Sequence, residues 1–327
     1  MGAMRNRAGC VSNAAMFALV VLIACGPVAA EGYRPPRASD GRPSLEGVWT
    51  NRSLTTLERR PIFKTLIIPE AEAKAFEAGA DGRPPLTDDV GQKDTEWWET
   101  GASLARVGGE ARASWIVDPP DGKLPYTARG AALLAAAQKA DLERFEGPEA
   151  RPAAERCLIG GAGVSGAPML TAPYNSNYQI VQTPNHVVIV TEMIRAARIV
   201  PLAPVAPLPS AMRPWTGDPV GRWDGDTLVI ETRGFNPGLA WRGPGRVYLS
   251  PEARVTERFT RTASSEIRYD FTVDDPAMFS RAWRAEMVLW LASGPMHEYA
   301  CHEGNYSLSG VLAGGRQKER EAAQALP

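Results

Sequence analysis

Val220-Gly221-Arg222-Trp223-Asp224-Gly225-Asp226-Thr227-Leu228-Val229-Ile230-Glu231-Thr232 contains two strand-like runs, Val220–Trp223 and Asp226–Thr232, on either side of Asp224-Gly225. A two-residue Asp-Gly between β-branched and aromatic runs is a strong hairpin signal, because glycine supplies the positive φ that a tight turn needs. The pattern recurs on both sides of it. Upstream, Tyr178–Thr183 and His186–Met193 flank Pro184-Asn185, and Ala197–Pro201 adds a strand. Downstream, Arg254–Arg261 and Glu266–Val273 turn across Thr262–Ser265, and Arg281–Leu291 and Met296–His302 turn at Ser293-Gly294-Pro295. About eight or nine antiparallel strands in chain order predict a mainly β fold, a meander closing as a lipocalin- or calycin-like barrel. A sandwich is the second choice, since either solution limits exposed edges.

The rest of the chain is arranged around that sheet. Residues 31–175 are punctuated by Pro35-Pro36, Pro84-Pro85, Pro119-Pro120 and glycine clusters, and form an irregular wrapping segment without a core of its own. Two helices are expected in it, Pro69–Ala78 and Thr127–Phe145, the second stopping before Gly147-Pro148. Residues 176–327 carry the strands and a closing helix over Leu308–Leu326, and residues 31–327 make one structural unit.

Residues 1–30 read as an export signal: Arg5 and Arg7, an apolar run from Ala14 to Ala24, then small residues at Val28-Ala29-Ala30. Leu22-Ile23-Ala24-Cys25 also fits the tetrapeptide that precedes lipid attachment to cysteine, so a soluble periplasmic protein and an outer-membrane lipoprotein both remain open. Membrane contact is expected only through that lipid. The 36 Lys+Arg and 37 Asp+Glu leave a net charge of −1, with no electrostatic footprint for nucleic acid. Of four cysteines, Cys10 and Cys25 fall in the signal, and an oxidising compartment favours pairing Cys157 with Cys301.

Motifs with known chemistry fail on context. Gly161-Ala162-Gly163-Val164-Ser165-Gly166 matches a dinucleotide loop by letter, but Pro168 and Pro173 follow where a helix must start. Ser165 lacks the second glycine of a nucleophile elbow, because Ala167 stands there. His302-Glu303 begins like a zinc-protease helix, yet Tyr306 occupies the second histidine position, and three histidines are too few for a multi-histidine site. No cofactor and no metal are expected.

Strand parity is more informative. Glu257 shares a face with Val255 and Phe259, opposite a strand whose Ile267, Tyr269, Phe271 and Val273 share theirs, and Glu192 falls on the side of Val188 and Val190. Burying a carboxylate costs several kcal/mol unless it is paired. Each is therefore either in a structural ion pair, with Arg198, Arg258 or another arginine, or a pocket acid or base with a raised pKa. His302 could shuttle a proton near neutral pH or simply bond a loop carbonyl. Tyr174, Asn177, Arg198, Tyr269, Glu303 and Asn305 are the candidate ligand-positioning residues.

Gly221 to Thr232, Val255-Thr256-Glu257-Arg258-Phe259 and Tyr299-Ala300-Cys301-His302-Glu303-Gly304-Asn305-Tyr306 together resemble a large family of uncharacterised exported bacterial proteins. The resemblance spans about residues 42 to 315 and implies export and one continuous domain. Relatives often carry histidine where this chain has Arg195 and asparagine where it has Ser176, so a base at position 195 is not carried over.

Two functions are expected from these residues. The first is an exported, cofactor-independent hydrolase or lyase acting on a small organic or sugar-like molecule in the barrel mouth. There Glu192 or Glu257 is the base, His302 the acid, and Arg198 the stabiliser of developing charge. The second is a non-catalytic, lipocalin-like ligand-binding or envelope protein. The oligomeric state is not legible.

Overall fold

The computed structural model describes residues 33–79, 101–160, 165–172, 174–237 and 247–324. Residues 1–30, the expected export signal, with Cys25, and Trp97, Trp98, Trp241 and Gly161–Val164 of the glycine-rich stretch lie outside them. Residues 34–327 form one compact unit. Its elements in chain order are β1 (Gly47–Thr50), β2 (Ile67–Ile68), α1 (Glu70–Gly79), β3 (Arg106–Val107), β4 (Glu110–Arg112), β5 (Ile116–Asp118) and α2 (Ala128–Glu143). Then come β6 (Asn177–Gln182), β7 (His186–Thr191), β8 (Ala197–Pro201), β9 (Asp218–Asp224), β10 (Thr227–Arg233), β11 (Arg254–Ala263), β12 (Glu266–Asp274), β13 (Trp283–Leu291) and α3 (Tyr306–Gln324). Among the described residues no helix is long and apolar enough to cross a membrane.

The strands form a nearly closed antiparallel barrel in the order β8-β7-β6-β1-β13-β12-β11-β10-β9, with β5 added against β13. Its end strands, β8 and β9, share no ladder. They meet through side chains instead: a Cβ on Gly221 would stand 2.8 Å from Val200 and 2.9 Å from Leu202, so only glycine lets the seam draw together.

Three expectations change. The hairpin of β9 and β10 pairs Asp224 with Thr227, so its two-residue loop is Gly225-Asp226 rather than Asp224-Gly225, with Gly225 at φ +59°. Met296–His302 is not a strand. The two edges of β13 are occupied by β12 and, in successive stretches, by β5 and β1, which leaves no ladder for a following hairpin. The N-terminal half also does more than wrap. It supplies β1, inserted between β6 and β13, and it has a small core of its own. There Leu54, Phe63, Ile68, Ala73, Leu104, Ala111 and Ala113 are buried together under α1 and the three-stranded sheet β2-β4-β3.

The barrel core is densely filled. Trp49, Trp115, Trp283, Phe235, Phe259, Phe271 and Phe279 are all buried, each such side chain worth about 1.5–3 kcal/mol on removal from water. These tryptophans are core residues. Ala167, Met169 and Leu170, from the loop before β6, join the same cluster. The Met169 N–H donates to the Tyr269 hydroxyl at 2.8 Å and its carbonyl accepts from Asn51 Nδ2 at 3.2 Å. This loop plugs the barrel where an open mouth was expected.

Candidate functional site

Burial alternates along β11 and β12 as parity requires: Val255, Glu257 and Phe259 point inward, as do Ile267, Tyr269, Phe271 and Val273. Arg198 points inward from β8. Inside, Arg198 holds Glu257 with both terminal nitrogens, Nη1 at 3.1 Å from Oε1 and Nη2 on Oε2, and both side chains are fully buried. The Tyr269 hydroxyl donates to Glu257 Oε1 at 2.7 Å, and Thr232 Oγ1 of β10 stands 3.5 Å from Arg198 Nη2. Burial alone would lower the Arg198 pKa, but the charge and hydrogen bonds of Glu257 outweigh it and hold the guanidinium above its ordinary value. Burial, then the negative charge of Glu257, pushes Tyr269 well above the usual phenol range. The cluster is a charged pair with its neutral donor, buried in the barrel core. It matches the structural ion pair among the sequence alternatives, with both side chains fully buried.

Glu192 is buried too, by another route. In β7 the inward residues are Val187, Ile189 and Thr191, so Val188 and Val190 face outward and the expected parity is reversed. Glu192 lies just past the strand, before a short 3-10 turn, and is buried beneath it. Its Oε2 accepts from Asn177 Nδ2 at 2.6 Å and its Oε1 from the His297 backbone N–H at 2.8 Å. The carboxylate therefore ties β6 to the loop after β13. Asn177, buried and committed to Glu192, orients this acid rather than a ligand.

His302 and Glu303 are exposed in the turn that leads into α3. Glu192, Glu257 and His302 share no hydrogen-bond partner among the described residues, and the structure does not assemble them into one constellation.

What it does assemble is a cleft around a disulfide. Cys157 and Cys301 are bonded, with Cα atoms 5.8 Å apart and a sequence separation of 144. The bond draws the loop after α2 to the start of α3. Beside it opens a cleft of about 920 Å³, whose walls include Glu155, Tyr174, Asn175, Glu298, Tyr299 and Asn305. A volume of this order suits a small organic molecule. Burial, followed by the neighbouring Tyr174 phenol, raises the Tyr299 pKa. Tyr299 packs against the cluster of Ala172 and Met193. The wall it belongs to thus stands on the turn that Glu192 anchors.

No protein-family model matches the chain, and no curated protein or solved structure matches it.

Tyr174 and Asn305 are the sequence-chosen ligand residues that the cleft gathers; Asn177, Arg198 and Tyr269 lie in the two buried networks. Asn305 has a structural duty as well. Its Oδ1 accepts from the Leu308 N–H at 3.4 Å, capping α3, while its Nδ2 donates to the Glu155 carbonyl at 2.7 Å. Sequence reasoning missed Glu298, Tyr299, Asn175 and Glu155 as cleft residues. Asn175 carries φ +50°, a left-handed conformation that asparagine tolerates, and Cys157 carries φ +55°. The disulfide was the available signal. Its two ends, known from cysteine arithmetic, mark the two loops that form the cleft.

Proposed function

We propose that the chain is an exported, non-catalytic binding protein that holds a small organic molecule in the cleft beside Cys157–Cys301, with the barrel as its rigid base. The observation that carries this is a contrast. The barrel interior is filled by side chains and plugged by the Met169 loop, whereas the disulfide-tied loops leave about 920 Å³ open to solvent. A lipocalin-like shape thus serves here with its pocket moved from the barrel axis to the loops at its edge.

The acid–base alternative asks Glu257 to give up its proton-accepting lone pairs to a substrate. They are engaged by Arg198 and Tyr269 in the buried interior. Glu192 is similarly engaged by Asn177 and His297.

The test is untargeted small-molecule capture on residues 31–327 with their disulfide intact, compared with the Ala300→Trp variant. Ala300 is exposed and lines the cleft, so an indole there obstructs it without replacing a barrel residue. A compound retained by the parent chain, lost from the variant and recovered unchanged supports binding. Retention equal in both chains places the ligand elsewhere, and recovery of a chemically altered compound restores the hydrolase or lyase.

A further inference from the structure

Resting on the assignment of the cleft as the binding site, its lining also selects among ligand classes. Among the described residues, no lysine, arginine or histidine lines it. Two carboxylates do, and they differ. Glu155 is neutralised by Arg151, which donates to it from Nε and Nη2, both at 2.9 Å. Glu298 is exposed and has no ion-pair partner among the described residues.

The remaining polar groups point the same way. Phenol rings present a negative face to a cation. Asn305 has spent its amide on Glu155 and Leu308, which leaves Asn175 as the uncommitted amide. One feature opposes: the N-terminus of α3 reaches the cleft through Asn305 and Ser307, and a helix start carries about half a positive charge. It is already capped, since Asn305 accepts from the Leu308 N–H and the Tyr306 N–H donates to the Gly304 carbonyl. A whole uncompensated carboxylate outweighs a capped half-charge.

We propose that the cleft takes a small organic cation, an ammonium group on a ring-sized body, with Glu298 as its counter-ion and Tyr174 and Tyr299 as its walls. An anion of the same shape would meet Glu298 with nothing to balance either charge.

Three probes of nearly equal shape test this: benzylammonium, benzyl alcohol and benzoate, each titrated by calorimetry or ligand-observed NMR into residues 31–327. Benzylammonium is expected to bind about fivefold tighter than benzyl alcohol, the range of one exposed charge pair, with benzoate weakest. Added salt narrows the gap. Glu298→Gln brings benzylammonium to within about twofold of the alcohol and leaves the alcohol unchanged, which separates a charge effect from a fold defect. Ala300→Trp abolishes binding of all three. Benzyl alcohol or benzoate binding as well as the amine overturns the cation class and leaves the binding assignment standing. Probes that bind equally to the Ala300→Trp chain overturn both, and a chain that binds none of the three overturns the cation class.

Discussion

Arg198 of β8 and Glu257 of β11 meet inside the barrel across the seam where β8 and β9 share no backbone ladder. With Thr232 of β10 beside them, they join one end of the sheet to the other through side chains. A buried pair of this kind contributes little over an apolar filling of equal volume, but losing one partner strands a charge. Glu257→Leu or Arg198→Met alone should therefore destabilise by about 3–5 kcal/mol. The double variant Arg198→Met with Glu257→Leu should recover much of that. Urea unfolding of the four chains checks this; additive losses would mean that the two groups do not act as a unit.

The tyrosines give the pH dependence. Burial lifts Tyr126 from its ordinary 10.0 to about 12, and lifts Tyr178 and Tyr269 further. A phenol whose folded pKa lies above its unfolded one stabilises fully below the unfolded value, and loses that contribution as pH rises through the folded value. Stability should accordingly be flat up to about pH 10 and fall steeply above it. An alkaline titration following phenolate absorbance and circular dichroism together should show these three phenols ionising only as the barrel unfolds. Their complete ionisation in a still-folded chain would refute the burial assigned to them.

Two glycines in helices make opposite predictions. A Cβ on Gly130 of α2 would fall well inside contact distance of the Met278 carbonyl, where Thr127 and Met278 dock the helix start. Gly310 of α3 has nothing within 4 Å. Gly130→Ala should destabilise by several kcal/mol through backbone displacement, and Gly310→Ala should stabilise by about 0.5–1 kcal/mol through helix propensity. Thermal unfolding reads both signs.

Cys157–Cys301 closes a loop across a sequence separation of 144. In the chain-entropy picture its removal by Cys157→Ser with Cys301→Ser costs about 5 kcal/mol. Urea unfolding should show that loss, and ligand capture should drop further than stability alone explains, because the cleft walls are what the bond holds together.

Much of the barrel was legible because its strongest signals are local. The hairpins around Gly225 and Ser264-Ser265, the inward faces of β11 and β12, and both ends of the disulfide each follow from neighbours in sequence. β1 was not legible. Gly47–Thr50 is four residues long and pairs with β6 and β13, far along the chain, so no adjacent strand or turn announces it. Met296–His302 misled for the converse reason, since its alternation suited a strand but no ladder partner remained. Glu192 was correctly marked as buried and wrongly placed, because strand parity ended one residue before it. The cleft was hardest to foresee. Glu298 and Tyr299 take their meaning from Tyr174 and Asn175, more than a hundred residues away, and only the folded chain brings them together.

The central claim is that ligand occupies the disulfide cleft and never the barrel interior. Fluorine NMR of the 3-fluorotyrosine-labelled chain, its eight tyrosines assigned by single Tyr→Phe changes, tests it most directly. On titration with the compound retained in the capture experiment, the Tyr174 and Tyr299 resonances should shift while those of Tyr178 and Tyr269 stay fixed. Shifts confined to Tyr178 and Tyr269 would put the ligand inside the barrel and contradict the claim.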